Sequence, residues 1–172
     1  ENTLSLQSYY DYFLRDTTAI SEERHTADLD VQHTIVVGER QEIVWGGGAR
    51  ITAVSLAESI DVAVRRPDDN TMEFGNVFVQ DTVQLLPERL AVTVGTKLQY
   101  TAHLGEEDLQ LQPSARLVWT PTVRQTLWGA VSRAARTPSH MERSALLRQR
   151  VNPPMGANPF PTLVTFNGSP RF

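Results

Sequence analysis

The chain has no cysteine among its 172 residues, which excludes a disulfide framework, a thiolate metal site and a cysteine nucleophile. It also has no apolar run approaching the roughly 20 residues that a membrane helix requires. Membrane strands remain possible, because they need only about 9–11 residues with every second one apolar. Lysine is nearly absent, and the net charge of −4 argues against a nucleic-acid partner.

A secretory leader is also missing at the start. Glu1 opens directly into alternating sequence, so we expect a chain that is mature, trimmed or a fragment.

Motifs for catalysis, cofactor binding or metal binding are missing as well. His25 and His33 share a strand face, but an extended strand separates them by about 26 Å, too far to ligate one metal. The triple glycine at residues 46–48 continues as strand, which indicates a bend, a bulge or a close backbone approach rather than a phosphate loop. We therefore expect no enzyme activity, no catalytic residue, no metal and no cofactor.

Alternation of apolar and polar residues with a period of two is what the sequence has in abundance. Such a period sends successive side chains to opposite faces of a strand, giving one apolar face and one polar face. The clearest examples are residues 3–15, 25–37, 42–51, 90–101 and 111–120.

The connections between these segments alternate in length. Short turns are predicted at residues 38–41, 86–89 and 120–124, and longer loops at 16–23, 53–73 and 102–110. This regularity predicts an all-β, antiparallel up-and-down meander with one turn side and one loop side, whereas a soluble sandwich has no reason to sort its loops.

The end of the chain follows a different pattern. Residues 141–150 are expected to form one or two amphipathic helical turns. Beyond them, several prolines predict an irregular loop with a possible short strand at Leu163, Val164 and Phe166.

An ordered set of segments carries a family resemblance. In order and spacing these segments resemble consecutive barrel hairpins of the TonB-dependent outer-membrane receptors. They read DLDVQH at 28–33, EIVWGGGAR at 42–50, FVQD at 78–81, LAVTVGTK at 90–97, QPSARLVWTP at 112–121 and LWGAVSRAARTPS at 127–139.

The resemblance implies a 22-stranded transmembrane β-barrel closed around an N-terminal plug, in the outer membrane of a Gram-negative cell. It implies uptake of a siderophore, cobalamin or a similar scarce nutrient, energised by TonB through an N-terminal box. We expect residues 1–172 to be a partial barrel domain of about seven strands that lacks the plug, the box and the C-terminal strands. Its expected partners are outer-membrane lipid and lipopolysaccharide, the plug domain, TonB through the missing N-terminal region, and the small-molecule nutrient.

Five charged residues follow as candidates for a site. The resemblance places Arg133 and Arg136 near the outer end of a strand, where they would contact the plug or an anionic ligand, or else lipopolysaccharide phosphate or a neighbouring acid. The alternation points Asp28, Asp30 and Arg116 inward. They are expected to be plug-facing residues or strand-to-strand partners. The Asp28–Asp30 pair could in principle do acid–base work, but a polar lumen face is the preferred interpretation.

Two further expectations complete the sequence analysis. As an isolated polypeptide, such a slice would have two unpaired sheet edges, so it should aggregate, pair with copies of itself or exist only in a larger assembly. The alternative class is a soluble β-sandwich or small barrel that acts as a ligand-binding module.

Overall fold

The computed structural model describes residues 2–17, 21–57, 62–64, 71–103, 106–136, 145–154 and 160–167. Its secondary structure is entirely β, as the alternation predicts. The strands are β1 (Asn2–Asp16), β2 (Ser21–Val37), β3 (Gln41–Ala57), β4 (Val62–Val64), β5 (Thr71–Leu86), β6 (Leu90–His103), β7 (Glu106–Thr122), β8 (Gln125–Ser132), β9 (Ala145–Asn152) and β10 (Thr162–Asn167).

The main sheet has seven antiparallel strands in the order β1-β2-β3-β5-β6-β7-β8. Each strand pairs with its neighbours along the chain, apart from the short β4, so the predicted up-and-down meander is confirmed. Strands β1 to β7 within this sheet contain 14 to 17 residues. They are thus longer than the roughly 9–11 residues that a membrane-crossing strand needs.

Three tight turns lie at one end of the main sheet, where the sequence predicts turns. They are residues 38–40, 87–89 and 123–124, each shorter than predicted. Gly38 adopts φ 64° and Glu88 adopts φ 58°, the left-handed conformation that lets a hairpin close in so few residues. We call this the turn end, and the opposite end the loop end.

The loop end departs from the predicted loop lengths. The acidic residues 106–108 belong to β7 rather than to a loop, because the ladder continues through Ala102↔Glu107 and Thr101↔Asp108. Likewise β3 extends to Ala57 and β5 begins at Thr71, which shortens the predicted loop between them.

A second, three-stranded sheet has the order β10-β9-β4, and we call it the loop sheet. The predicted helical turns at residues 141–150 are wrong for residues 145–150, which lie in β9, because β9 gains ladder partners on both sides. The predicted short strand at Leu163–Phe166 is confirmed within β10.

The register of the main sheet keeps one apolar face continuous across all seven strands. The rows cross the sheet through pairs such as Leu6↔Val31, Val31↔Gly47 and Gly47↔Val77. None of the residues that the structure describes covers this face. Its exposed members include Leu4, Leu6, Leu29, Trp45, Ile51, Val77, Val79, Val94, Leu98, Leu109, Leu111, Leu117, Trp119, Leu127 and Val131.

Burial is correspondingly sparse. Among the described side chains, Val54 is the one buried apolar residue, while Leu6 is 69% exposed and Val77 is 59% exposed. Soluble monomers rarely expose a contiguous apolar surface of this extent. None of the described residues forms a helix long and apolar enough to cross a membrane.

Candidate functional site on the polar face

The opposite face of the main sheet is polar, and an ion pair between neighbouring strands lies on it. Asp28 of β2 stands opposite Arg50 of β3, and Arg50 Nε donates a hydrogen bond of 2.6 Å to Asp28 Oδ2. The two partners differ in exposure: the Asp28 side chain is 4% exposed and that of Arg50 is 48% exposed. The second oxygen of Asp28, Oδ1, is buried and accepts no hydrogen bond from the protein.

A recess of about 190 Å³ opens beside this pair, and Gly48 forms part of its floor. Side-chain atoms at position 48 would collide with Asp30 Oδ1 and would lie 3.1 Å from Asn76 Nδ2. Glycine at this position therefore lets Asp30 and Asn76 lean toward each other from β2 and β5. Asn76 Nδ2 also donates to the Gly48 carbonyl at 3.4 Å.

Lys97 and Gln99 of β6 complete the recess on its other side. Its wall thus carries two carboxylates and two cations, together with amide groups. Such a surface offers hydrogen-bond donors and acceptors to a polar partner while its own charges nearly balance.

A line of amide side chains continues from the recess across the sheet. The register sets Asn76 opposite Gln99, and Gln99 opposite Gln110. Gln112 Nε2 donates to Gln99 Oε1 at 3.2 Å, and Gln110 donates to both oxygens of Asp108, at 3.0 and 2.8 Å. These contacts join neighbouring side chains along the polar face.

A second depression lies toward the loop end, on the other side of Arg50. It has a volume of about 450 Å³ and is lined by Tyr9, Asp11, Arg24 and Arg50, among others. The guanidinium of Arg24 also stacks over the Phe13 ring, 4.8 Å from its centroid. Arg50 therefore borders both depressions and contributes a cation to each.

The five charged candidates from the sequence fall into separate places. Asp28 and Asp30 share the recess, as neighbours on the polar face. Arg116 lies on the same face but opposite Thr93, several rows toward the turn end. Arg133 and Arg136 follow the last residue of β8, Ser132, which stands opposite Ser114 midway along β7. Arg133 N donates to Pro113 O at 3.0 Å, and Arg133 Nη2 donates to Gln110 Oε1 at 3.4 Å.

Arg50, Asn76 and Lys97 are among the recess residues that the sequence analysis did not single out. Arg50 could have been identified from the sequence, because the alternation places Arg50 on the polar face of β3 and Asp28 on the polar face of β2. Pairing the two required the length of the turn between the strands, which closes at Val37↔Gln41.

The apolar face has one polar exception near the turn end. Gln41 Nε2 donates to Asp81 Oδ2 at 2.9 Å, while Asp81 Oδ1 is buried without a partner. The neutral amide therefore satisfies one of the two carboxylate oxygens on a face that is mostly apolar.

Within the described ranges, no group of three or more His, Asp or Glu side chains is arranged to hold a metal ion.

A sheet of long, continuous antiparallel strands with one exposed apolar face and one polar face defines a class of protein. It is the wall of a membrane β-barrel, whose strands alternate apolar-out and polar-in. Residues 1–166 match the sequence family described as TonB dependent receptor-like, beta-barrel. The chain belongs to this family. Its members are outer-membrane receptors with a transport role, and the family is not a family of enzymes.

This assignment confirms the resemblance seen in the sequence and favours the membrane barrel over the soluble ligand-binding module. No curated protein and no solved structure matches the chain significantly.

The height of the apolar band agrees with the family assignment. Tyr100, opposite Leu109, marks the loop end of the band, and Trp119 marks the turn end. From Leu109 to Trp119 an extended strand covers roughly 33 Å. At a tilt of about 45° this spans about 23 Å of membrane, close to the roughly 25 Å apolar band of such barrels, with aromatic residues at both borders.

Proposed function

We propose that the chain forms part of the barrel wall of a receptor that imports a scarce nutrient, such as a siderophore or cobalamin, across the outer membrane of a Gram-negative cell. The family assignment supports the receptor and transport role in general. The observation that carries the proposal further is the sorting of the faces: apolar residues predominate on one side, and the ion pair and the amide contacts lie on the other. The polar side then lines the passage.

The proposal also assigns partners to the polar side. Asp28, Asp30 and Arg116 contact the plug domain, which in this family fills the barrel. Arg133 and Arg136, which follow β8, contact an anionic ligand as it enters, because planar guanidinium groups suit carboxylates and similar anions. TonB supplies energy through the N-terminal region of the receptor.

Adjacent spin labels on β6 test the sorting. Val92 lies on the apolar face and Thr93 on the polar face, so labels there differ in environment although their positions are consecutive. In outer-membrane vesicles, we expect the label at Val92 to collide mainly with dissolved oxygen. The label at Thr93 should collide mainly with a water-soluble nickel chelate. Water contact at both positions, with no lipid contact, would contradict the proposal.

The ligand role of the two arginines is tested by growth and uptake. Charge reversal at Arg133 and Arg136 should reduce uptake of ferric siderophores at low concentration, without reducing the amount of protein in the membrane. Arg124→Glu, in the tight turn between β7 and β8, is the matched control. Equal uptake by the reversed and control variants would exclude this role for the two arginines.

A further inference from the structure

Two shallow depressions lie next to each other on the apolar face of the main sheet. They have volumes of about 610 and 340 Å³, and the smaller one is nearer the loop end. Val77 and Leu98 line both of them, so they form one continuous groove, which we call the apolar groove. Its other walls are mostly apolar and include Trp45, Gly47, Val79, Gly75 and Tyr100.

Two glycines leave the floor of this groove without side chains. Gly47 stands opposite Val77, and Gly75 stands opposite Tyr100. A Cβ at Gly47 would lie 2.7 Å from the Asn76 carbonyl oxygen, so this position is closed to larger residues. At Gly75 the nearest atom would be the Tyr100 Cβ at 3.9 Å, so a larger side chain fits there and would fill part of the groove.

The groove runs along the strands from the loop-end border of the apolar band toward the middle of the band. Val79 lies four residues from Gly75 along β5, which is roughly 13 Å on an extended strand. At a tilt of about 45° the groove therefore covers roughly 9 Å of membrane depth. The hydrocarbon chains of lipids occupy this layer. An acyl chain in the groove gives the surrounding side chains packing contacts that a void would lack.

Two glutamates stand at the loop-end mouth of the groove. Glu73 and Glu107 flank Ala102 in one row of the sheet, and that row is two residues beyond the row of Tyr100. At the same tilt it lies roughly 5 Å further out. The two carboxylates belong to strands that are two inter-strand spacings, or roughly 10 Å, apart, with a small alanine between them. The Tyr100 hydroxyl donates a hydrogen bond to Glu107 and orients its carboxylate at the mouth.

This side of the sheet has negative charge without lysine or arginine. In the described strands of the main sheet, the positions that share the apolar face include no lysine and no arginine. His25, on the same side of β2, contacts Glu23 instead. A headgroup at the mouth of the groove therefore meets carboxylates, which repel anions and attract a cation.

We propose that the apolar groove and the two glutamates form a binding site for a phospholipid with an ethanolamine headgroup. One acyl chain lies in the groove, and the primary ammonium group lies between Glu73 and Glu107. Such a group has three hydrogen-bond donors, so it serves both carboxylates at once. The site lies on the outward side of the barrel wall, so it goes beyond the proposed uptake and does not depend on it.

Lipid retention by the full-length receptor tests the headgroup. The receptor is purified from outer membranes in mild detergent and mixed with phospholipids that share their acyl chains and differ in headgroup. Native mass spectrometry then counts the retained lipid. We expect the ethanolamine lipid to be retained roughly fivefold more strongly than the glycerol lipid, as for two partly exposed ion pairs. Equal retention of these two, or of the ethanolamine and choline lipids, would overturn the assignment.

Glutamine at both mouth positions tests the carboxylates. E73Q/E107Q keeps the size of the side chains and removes their charge, so the preference for ethanolamine over glycerol should disappear. E39Q/E88Q removes the same charge from the tight turns at the opposite end and should keep the preference. Loss of the preference in both double variants would show that net charge, and not this site, selects the lipid.

Gly75→Leu tests the groove, because its side chain occupies the space of the acyl chain. We expect it to lower the retention of every phospholipid, whatever the headgroup. Gly129→Leu is the matched control, since Gly129 lies on the same face outside the groove and has no atom within 4 Å of an added Cβ. The mobility of the unheated protein in gels checks that both variants are folded.

Equal retention by the two glycine variants would overturn the acyl-chain site. It would leave the contrast between the spin labels at Val92 and Thr93 intact, so this failure is distinguishable from a failure of the proposed function.

Discussion

Asp28 and Arg50 contribute unequally to their ion pair, and this inequality predicts how each responds to mutation. Removing a partner from a buried pair leaves an uncompensated charge, at a cost of about 3–5 kcal/mol. Arg50→Gln leaves the carboxylate of Asp28, whose side chain is 4% exposed, without its cation. Asp28→Asn leaves a half-exposed arginine that water can solvate. We expect Arg50→Gln to lower the free energy of unfolding by about 3 kcal/mol and Asp28→Asn by about 1 kcal/mol.

Urea unfolding of the protein refolded into lipid vesicles measures these changes. The double variant D28N/R50Q should be more stable than R50Q alone, since it removes the stranded charge. Arg116→Gln, an exposed arginine on the same face, is the control and should change stability little. A larger loss for Asp28→Asn than for Arg50→Gln would show that the carboxylate is not the buried partner.

The Asp28–Arg50 contact also shows how much of the candidate site could be predicted from the sequence. A four-residue turn at 38–41, as first predicted, would pair Val37 with Glu42 and set Asp28 opposite Ile51. A slip of one residue moves every side chain to the other face. The observed turn of residues 38–40 sets Asp28 opposite Arg50 and His33 opposite Trp45, which keeps apolar residues together. Of these two registers, only this one places the apolar residues of β2 and β3 on the same face.

Other parts of the recess could not be predicted in this way. Asn76 lies on β5 and Lys97 on β6. Whether they reach the recess depends on the strand register beyond the long connection between β3 and β5. The role of Gly48 depends on a close approach between the side chains of Asp30 and Asn76, which sequence periodicity does not encode.

At the scale of the strands, the alternation of apolar and polar residues predicts the strand only where one of its faces contacts lipid. Glu106, Glu107 and Asp108 put acids on both faces of β7, because both faces are wet beyond the apolar band. The ladder with β6 nevertheless continues through them. The sequence therefore predicts where strands cross the membrane better than where they end.

Arginine substitutions on β5 and β6 distinguish the two faces of these strands. Leu98 lies on the apolar face opposite Val77, and Gln80 lies on the polar face three residues nearer the turn end. A lipid-facing arginine costs about 2–4 kcal/mol at the bilayer midplane and less toward the interfaces. We expect Leu98→Arg to lower the free energy of unfolding in vesicles by about 2 kcal/mol, and Gln80→Arg by less than about 1 kcal/mol.

Tryptophan fluorescence during urea titration reads out this comparison. Leu98→Gln, which is polar but uncharged, should fall between the two arginine variants. Equal destabilisation by Leu98→Arg and Gln80→Arg would mean that neither face is lipid-facing.

At the scale of the whole molecule, the main sheet is open. In the part of the chain that the structure describes, β1 pairs with β2 on one side only, and β8 pairs with β7 on one side only. Strand β8 pairs with β7 from Ser114 to Thr122, and Arg133 N adds a bond to Pro113 O, so the β8 ladder does not extend to the loop-end half of β7. Unpaired edges in a membrane environment expose backbone groups that have no water to bond.

The polypeptide of residues 1–172 should therefore associate with its own copies in detergent micelles, through the edges at β1 and β8. Alternate residues of β1 direct their N–H groups either to β2 or outward, so Gln7→Pro and Ser8→Pro act differently. The variant that removes an outward N–H should weaken association while keeping the β1–β2 ladder, and the other should disrupt that ladder. Sedimentation velocity with density-matched detergent measures the association. A wild-type polypeptide that sediments as a monomer would contradict edge pairing, because the exposed ladder would then be satisfied within one chain.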